Sequence, residues 1–196
     1  QQVSRAINRA LPVMSPAGYL VLDTETTGLG ADARVIEIGL VFLDSHGQIE
    51  GQFGTLLRGD GSAGNVHARR VHGIEPDHLR SAPKFEEFCP TLSSLLQSRI
   101  VLAHNASFDK RIINGELMIA KIEPLPQMGC TMTLGSHLGY GRMKLEVAAQ
   151  QFGIPTGKSH SALDDALAAA GIFKYYVKKH PKEVVNYLVK LGYRFR

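Results

Sequence analysis

The stretch Tyr19-Leu20-Val21-Leu22-Asp23-Thr24-Glu25-Thr26-Thr27-Gly28 passes from an unbroken apolar run into polar residues and a glycine. It reads as a buried strand that ends in a turn. Successive side chains on a strand point to opposite faces, so Asp23 and Glu25 share one face and Thr24 points to the other. Two carboxylates that close repel each other, which raises a pKa or demands a cation. A hard divalent metal is the natural counter-ion for Asp-x-Glu at a strand end. Taken alone, the pair fits an exposed strand end equally well.

Working outward, Val35-Ile36-Glu37-Ile38-Gly39-Leu40-Val41-Phe42 predicts a second strand and residues 48–57 a third, joined by a turn at Ser45-His46-Gly47. Residues 59–66 form a Gly-rich loop. Ser81-Ala82-Pro83, followed by Phe85, Phe88, Leu92, Leu95 and Leu96, opens an amphipathic helix. Ile100-Val101-Leu102-Ala103 is a fourth strand and ends in His104 and Asn105 before a helix over 107–120. A short fifth strand is expected around Gly129-Cys130-Thr131-Met132. Helices follow over 144–152 and 161–179, and Pro181 opens a last short helix. Hairpin strands followed by strand–helix alternation describe an α/β fold, one mixed five-stranded sheet with helices packed on it.

Sites in open α/β sheets form where strands end and helices begin, and two further acids fall at such places. Asp109 lies just beyond the fourth strand, in His104-Asn105-Ala106-Ser107-Phe108-Asp109; it is also an ordinary first-turn carboxylate favoured by the helix dipole. In His160-Ser161-Ala162-Leu163-Asp164-Asp165, Ser161 can serve as an N-cap, with both acids complementing the dipole. If the helix reached back to His160, i,i+4 spacing would place Asp164 on its face.

Taken together, Leu22-Asp23-Thr24-Glu25-Thr26-Thr27-Gly28-Leu29, His104-Asn105-Ala106-Ser107-Phe108-Asp109 and His160-x-Ala162-x-x-Asp165 resemble the three motifs of the DEDDh 3'–5' exonucleases, including the proofreading branch of bacterial DNA polymerase III epsilon subunits. Val71-His72-Gly73-Ile74 and Cys130-Thr131 are similar to further family segments, and the likeness spans about residues 19–175. The resemblance implies a ribonuclease H-like fold, with Asp23, Glu25, Asp109 and Asp165 as ligands of two Mg²⁺ or Mn²⁺ ions and His160 as general base. It selects Asp165 over Asp164. It also implies Thr26, Leu29, His72, Asn105 and Phe108 as substrate contacts; for Leu29 and Phe108 ordinary core packing is an equal alternative, and for His72 a place on the surface. Chemistry wants this set, because two-metal sites drive in-line displacement at phosphorus and an imidazole takes a proton near neutral pH.

The implied reaction is removal of nucleoside 5'-monophosphates from the 3' end of single-stranded or frayed DNA, in proofreading or repair. An exoribonuclease of the same superfamily is one alternative. A non-catalytic nucleic-acid-binding or polymerase-docking module is another, which a full set of carboxylates and the histidine argues against. The expected partners are nucleic acid and, on the epsilon resemblance, a DNA polymerase. The short stretch after Pro181 favours a free-standing enzyme or an excised domain.

Composition narrows the class further. The chain has 196 residues, 44% of them hydrophobic, enough for one ordinary domain, and no apolar run of membrane-spanning length. Cys89 and Cys130 stand far apart, so neither a disulfide framework nor a zinc module is indicated, and a reducing cytoplasm fits. The net charge is +4, yet residues 174–196 carry seven basic side chains against Glu183 alone, a charge of +6 that leaves −2 elsewhere. We therefore divide the chain into an N-terminal arm over 1–18, an exonuclease domain over 19–180 and a basic C-terminal helix or tail over 181–196. That tail is either a solvated surface or a contributor to polyanion binding. In the arm, Arg5 and Arg9 without acidic neighbours bear a weak likeness to an organelle transit segment.

Overall fold

A computed structural model describes residues 13–14 and 18–195. Its strands are β1 (Val13–Met14), β2 (Tyr19–Thr26), β3 (Val35–Leu43), β4 (Ile49–Leu56), β5 (Ile100–Ala103), β6 (Gly129–Cys130) and β7 (Arg194–Phe195). The helices are α1 (Val66–His72), α2 (Pro76–Leu79), α3 (Phe85–Ser98), α4 (Ala106–Ile119), α5 (Thr131–His137), α6 (Leu145–Phe152), α7 (Ala162–Lys179) and α8 (Pro181–Lys190). The main sheet has five strands in the order β4-β3-β2-β5-β6. β2, β3 and β4 run antiparallel as a meander, while β5 and β6 lie parallel to β2 and each other. This is the expected mixed sheet.

Central β2 is covered on both faces, which is why its sequence is a continuous apolar run rather than an alternation. Leu20 and Leu22 pack with Phe85, Leu92, Ile112 and Leu117 from α3 and α4. Tyr19 and Val21 pack with Ala166, Ala169, Ala170 and Phe173 from α7. The same parity carries Asp23 and Glu25 toward the α7 face and Thr24 toward α4. The alanines let α7 lie close to the sheet, and Gly39 on β3, the cross-strand partner of Asp23, makes the closest approach. A Cβ at Gly39 would strike the Ala162 carbonyl and the Leu163 Cα. The start of α7 thus rests on bare backbone beside Asp23.

The structure corrects the expected elements in several places. β6 stops at Cys130, and Thr131 opens α5, whose first-turn amide of Thr133 donates to the Cys130 sulfur at 3.4 Å. Helices α1 and α2 occupy a stretch with no apolar periodicity. α1 is set instead by Asn65, which accepts from the Ala68 amide at 2.9 Å, and by left-handed Gly73 at φ 72°. Within residues 181–195, Val184, Tyr187 and Leu188 of α8 are buried in the α7 cluster and the Tyr187 hydroxyl accepts from the Cys130 amide at 2.9 Å. Within the arm, β1 pairs in parallel with β7; the transit-like Arg5 and Arg9 lie outside the described residues. Both cysteines are free thiols, and among the described residues no helix is long and apolar enough to cross a membrane.

Gly39→Ala is expected to lower unfolding stability by about 1–3 kcal/mol through overpacking, as measured by urea titration. Gly51→Ala, whose added Cβ meets only Phe42 at 3.9 Å, is the matched control. Equal midpoints for the two variants would show that α7 does not depend on the gap at Gly39.

Candidate active site

β2 delivers Asp23 and Glu25 at its last residues, where a register irregularity between Glu25 and Thr26 ends the regular pairing. α4 follows β5, the parallel neighbour of β2, so Asp109 in its first turn arrives at the same end of the sheet. Asp109 is buried, and its Oδ1 accepts from the Thr24 hydroxyl at 2.9 Å. Thr24 therefore serves the site from the opposite face of its strand. α7 supplies Asp165, whose Oδ2 accepts from the His160 amide at 3.1 Å.

His160 has φ 60°, a left-handed conformation uncommon outside glycine. The chain reverses there before α7 begins, so helical i,i+4 spacing does not apply. Asp164 turns away and accepts from the Lys158 amide at 2.8 Å, while Glu25, His160 and Asp165 bring ligand atoms within 4.8 Å of one another. Ser161 occupies the N-cap position without a side-chain cap bond. Glu37 caps the helix in its place. The Glu37 Oε2 accepts from the Ala162 amide at 3.1 Å, and the cross-strand partner of Glu37 on β2 is Glu25.

The electrostatics follow from this crowding. Burial pushes Asp23 well above the ordinary carboxylate range, and the charges of Asp109, Asp165, Glu25 and Glu37 push it further. Burial, with Asp165, Glu37 and Asp109, raises Glu25 to about 8. Asp109 is raised by burial, against the opposing hydrogen bond from Thr24. Asp165 is raised by burial, against the His160 amide and the charge of His160. Among the described residues no Lys or Arg forms an ion pair with any of these acids. Crowded oxygen donors, Glu25 and Asp109 buried and Asp23 and Asp165 half-buried, that repel one another without a paired Lys or Arg are the donor set that hard divalent ions accept.

The expected substrate contacts fall into distinct settings. Thr26 is buried, and its hydroxyl donates to the Gly28 carbonyl at 2.7 Å. Leu29 is 78% exposed, so core packing does not explain it. Its loop is closed by hydrogen bonds between Thr27 and Arg34 and is held to α4 by Arg111, which donates to the Leu29 carbonyl at 3.0 Å and the Gly30 carbonyl at 2.9 Å. Phe108 is half-buried over the α3/α4 cluster, with the Arg111 guanidinium 5.4 Å from its ring centre. Asn105 is exposed at the start of α4 and makes no cap bond there. His72 is buried; its Nδ1 accepts from the Ile74 amide at 3.0 Å, and burial lowers its pKa, to which the charge of His160 adds. Sequence reading missed Thr24, Glu37 and Arg111. The one signal for Glu37 is a lone acid inside the apolar run Val35–Leu43.

A sheet in this order, with acids converging from the end of β2 and the first turns of α4 and α7, defines a ribonuclease H-like nuclease. The exonuclease family model matches residues 20–173, and the chain belongs to that family as a hydrolytic nuclease of the 3'–5' class. It is 33% identical over 171 residues to the DNA polymerase III subunit epsilon of Treponema pallidum, covering 84% of this chain and 79% of that protein. It spans only 12% of the PolC-type DNA polymerase III chains it also matches. In structure it is similar to E. coli exonuclease I in complex with a dT13 oligonucleotide, at TM-score 0.74 and 18% identity over 87% of this chain and 43% of that one. It is also similar to the nuclease domain of 3'hExo, a DEDDh family member bound to rAMP, at TM-score 0.70 and 18% identity over 83% of this chain and 92% of that one.

Glu37→Ala should lower turnover and weaken Mn²⁺ binding measured by titration, because the first turn of α7 loses the acceptor that sets it beside Glu25. Glu37→Gln keeps an amide oxygen for Ala162 and should restore both. A Gln variant as impaired as the Ala variant would assign the effect to charge rather than to capping.

Proposed function

We propose that this chain is a metal-dependent 3'–5' exonuclease that shortens single-stranded or frayed DNA and releases nucleoside 5'-monophosphates. Asp23, Glu25, Asp109 and Asp165 hold two Mg²⁺ or Mn²⁺ ions, and His160 is the general base. The observation that carries this reading is the convergence of Glu25, His160 and Asp165 within 4.8 Å, beside the half-buried Asp23 and the buried Asp109, with no Lys or Arg in an ion pair with them among the described residues. The bound ions supply activation of a water and neutralisation of the charge developing on the leaving 3'-oxygen.

The chain's own residues do the rest. The His160 loop puts an imidazole beside Asp165, where it takes the proton of the attacking water. The new bond joins that water to the terminal phosphorus, and the bond from phosphorus to the 3'-oxygen of the penultimate nucleotide breaks. The 5'-oxygen link of the leaving nucleotide stays intact, so the product carries a 5'-phosphate. Leu29, exposed on a loop braced by Arg111, and Phe108 offer apolar surface for the terminal base and sugar, with Thr26, Asn105 and His72 around them. The dT13 complex of exonuclease I supports a single-stranded DNA substrate. The likeness to an epsilon subunit supports a polymerase partner in proofreading or repair, in the cytoplasm.

The test is incubation of end-labelled single-stranded DNA, duplex and RNA with and without Mg²⁺, followed by product sizing. The expected result is stepwise shortening from the 3' end of DNA, with 5'-monophosphates released. Asp109→Asn should abolish cleavage with the fold intact, and Asp164→Asn should be mild. His160→Ala should reduce kcat by about 10²–10⁴-fold while retaining metal binding. Full activity in EDTA or in the Asp109 variant, or 3'-phosphorylated products, would overturn the assignment.

A further inference from the structure

The chain's positive excess lies in residues 174–196, but the fold divides the lysines of that segment between two ends of the molecule. α7 starts at the acids and has 18 residues, about 27 Å of helix, which carries its last turns to the opposite edge of the domain. There Lys174 and Lys178 line a surface with Tyr19 and His46, at the start of β2 rather than its catalytic end. α8 then reverses direction. Its anchor, the hydrogen bond between Tyr187 and the backbone of Cys130, returns Lys190 to the end of β6.

Lys190 there borders a groove of about 500 Å³ that also includes Asn105, Ser107, Thr133, His137 and Arg142. Among the described residues no Asp or Glu lines this groove. His137, Arg142 and Lys190 are exposed, and among the described residues none of them takes part in an ion pair. Among the described residues the Arg142 guanidinium donates only to the Thr133 hydroxyl, at 3.4 Å. The groove begins at Asn105 and Ser107, about a turn from Asp109 at the start of α4, so its near end lies close to the carboxylate site. A strand whose 3' end sits among repelling carboxylates needs its remaining phosphates neutralised nearby, and these three side chains stand where it must leave.

We propose that this groove binds the phosphates of a single nucleic-acid strand on the 5' side of the terminal nucleotide, through Arg142, Lys190 and His137, and that the basic residues at the far end of α7 take no part. The proposal rests on the exonuclease reading above for the direction of the strand. It refines the role of the basic C-terminal segment to Lys190 alone among the lysines of α7 and α8.

The experiment is fluorescence anisotropy of a labelled oligothymidylate with the full chain in Ca²⁺, across a salt series. The variants are Arg142→Gln/Lys190→Gln and, as a charge-matched control, Lys174→Gln/Lys178→Gln. All four side chains are at least partly exposed, and urea unfolding verifies that each variant is folded. Removing the cation that neutralises one phosphate flattens the slope of log K against log salt by about 0.7, so the groove variant should flatten it by about 1.4 while the control keeps the wild-type slope. Cleavage of a dinucleotide without a 5'-phosphate, whose only phosphate is the scissile one, should be equal in all three proteins. An unchanged slope in the groove variant, or equal flattening in the control, would overturn the proposal. A wild type that binds the oligonucleotide but cleaves neither it nor the dinucleotide would instead overturn the exonuclease reading and leave the binding result to judge the groove.

Discussion

Mutual repulsion among acids is the constraint on which this structure turns. Asp23, Glu25, Asp109 and Asp165, with Glu37 behind them, are brought together by three elements that each have an independent reason to be there. β2 is the central strand, α4 follows its parallel neighbour, and α7 covers the opposite face. Asp109 is 3% exposed and Glu25 9% exposed, so water does little to screen them. A fold seeking only stability would not gather them. Their proximity makes sense where divalent cations supply the missing charge.

Holding repelling groups together requires rigid supports, and these are visible at each acid. Thr24 fixes Asp109 through a side chain on the other face of β2. Gly39 leaves the space that α7 enters, and Glu37 ties its first amide. Two turns beyond Asp109 on the same buried face of α4, Glu116 accepts from Arg34 Nε and Nη2 at 2.9 Å each and from the Val35 amide, which locks the helix to the start of β3. The same Arg34 backbone closes the loop that carries Leu29, so the support of the helix that bears Asp109 and that of the Leu29 loop share one residue.

What sequence could reveal followed from periodicity and spacing. β2 was legible because burial on both faces makes its apolar run continuous, and α7 because its helical pattern spans 18 residues. α1 and α2 were not, since short helices held by Asn65 and Gly73 need no apolar stripe. His104 looked like a polar strand end, yet it is a buried tie: its Nε2 donates to the Met143 carbonyl at 2.9 Å and its Nδ1 accepts from the Thr131 hydroxyl at 2.8 Å, with burial lowering its pKa. The choice between Asp164 and Asp165 needed the family motif, because it depends on a left-handed residue that spacing rules do not anticipate. Glu37 and the groove at Arg142 and Lys190 depend on contacts between distant segments, which no local pattern encodes.

The repulsion itself is most directly tested by thermal unfolding across pH in EDTA and in Mg²⁺. Glu25 is raised from 4.5 to about 8 in the folded state, and Asp23, Asp109 and Asp165 shift in the same direction. The stability that protonation gives the folded cluster is complete below the ordinary carboxylate range and is lost as pH rises through the raised values. In EDTA the Tm should therefore fall as pH increases from 4.5 to about 8, Mg²⁺ should reverse the loss at the upper end, and Glu25→Gln should flatten the EDTA profile. A Tm in EDTA that stays level or climbs across that window, with no response to Mg²⁺, would contradict the account.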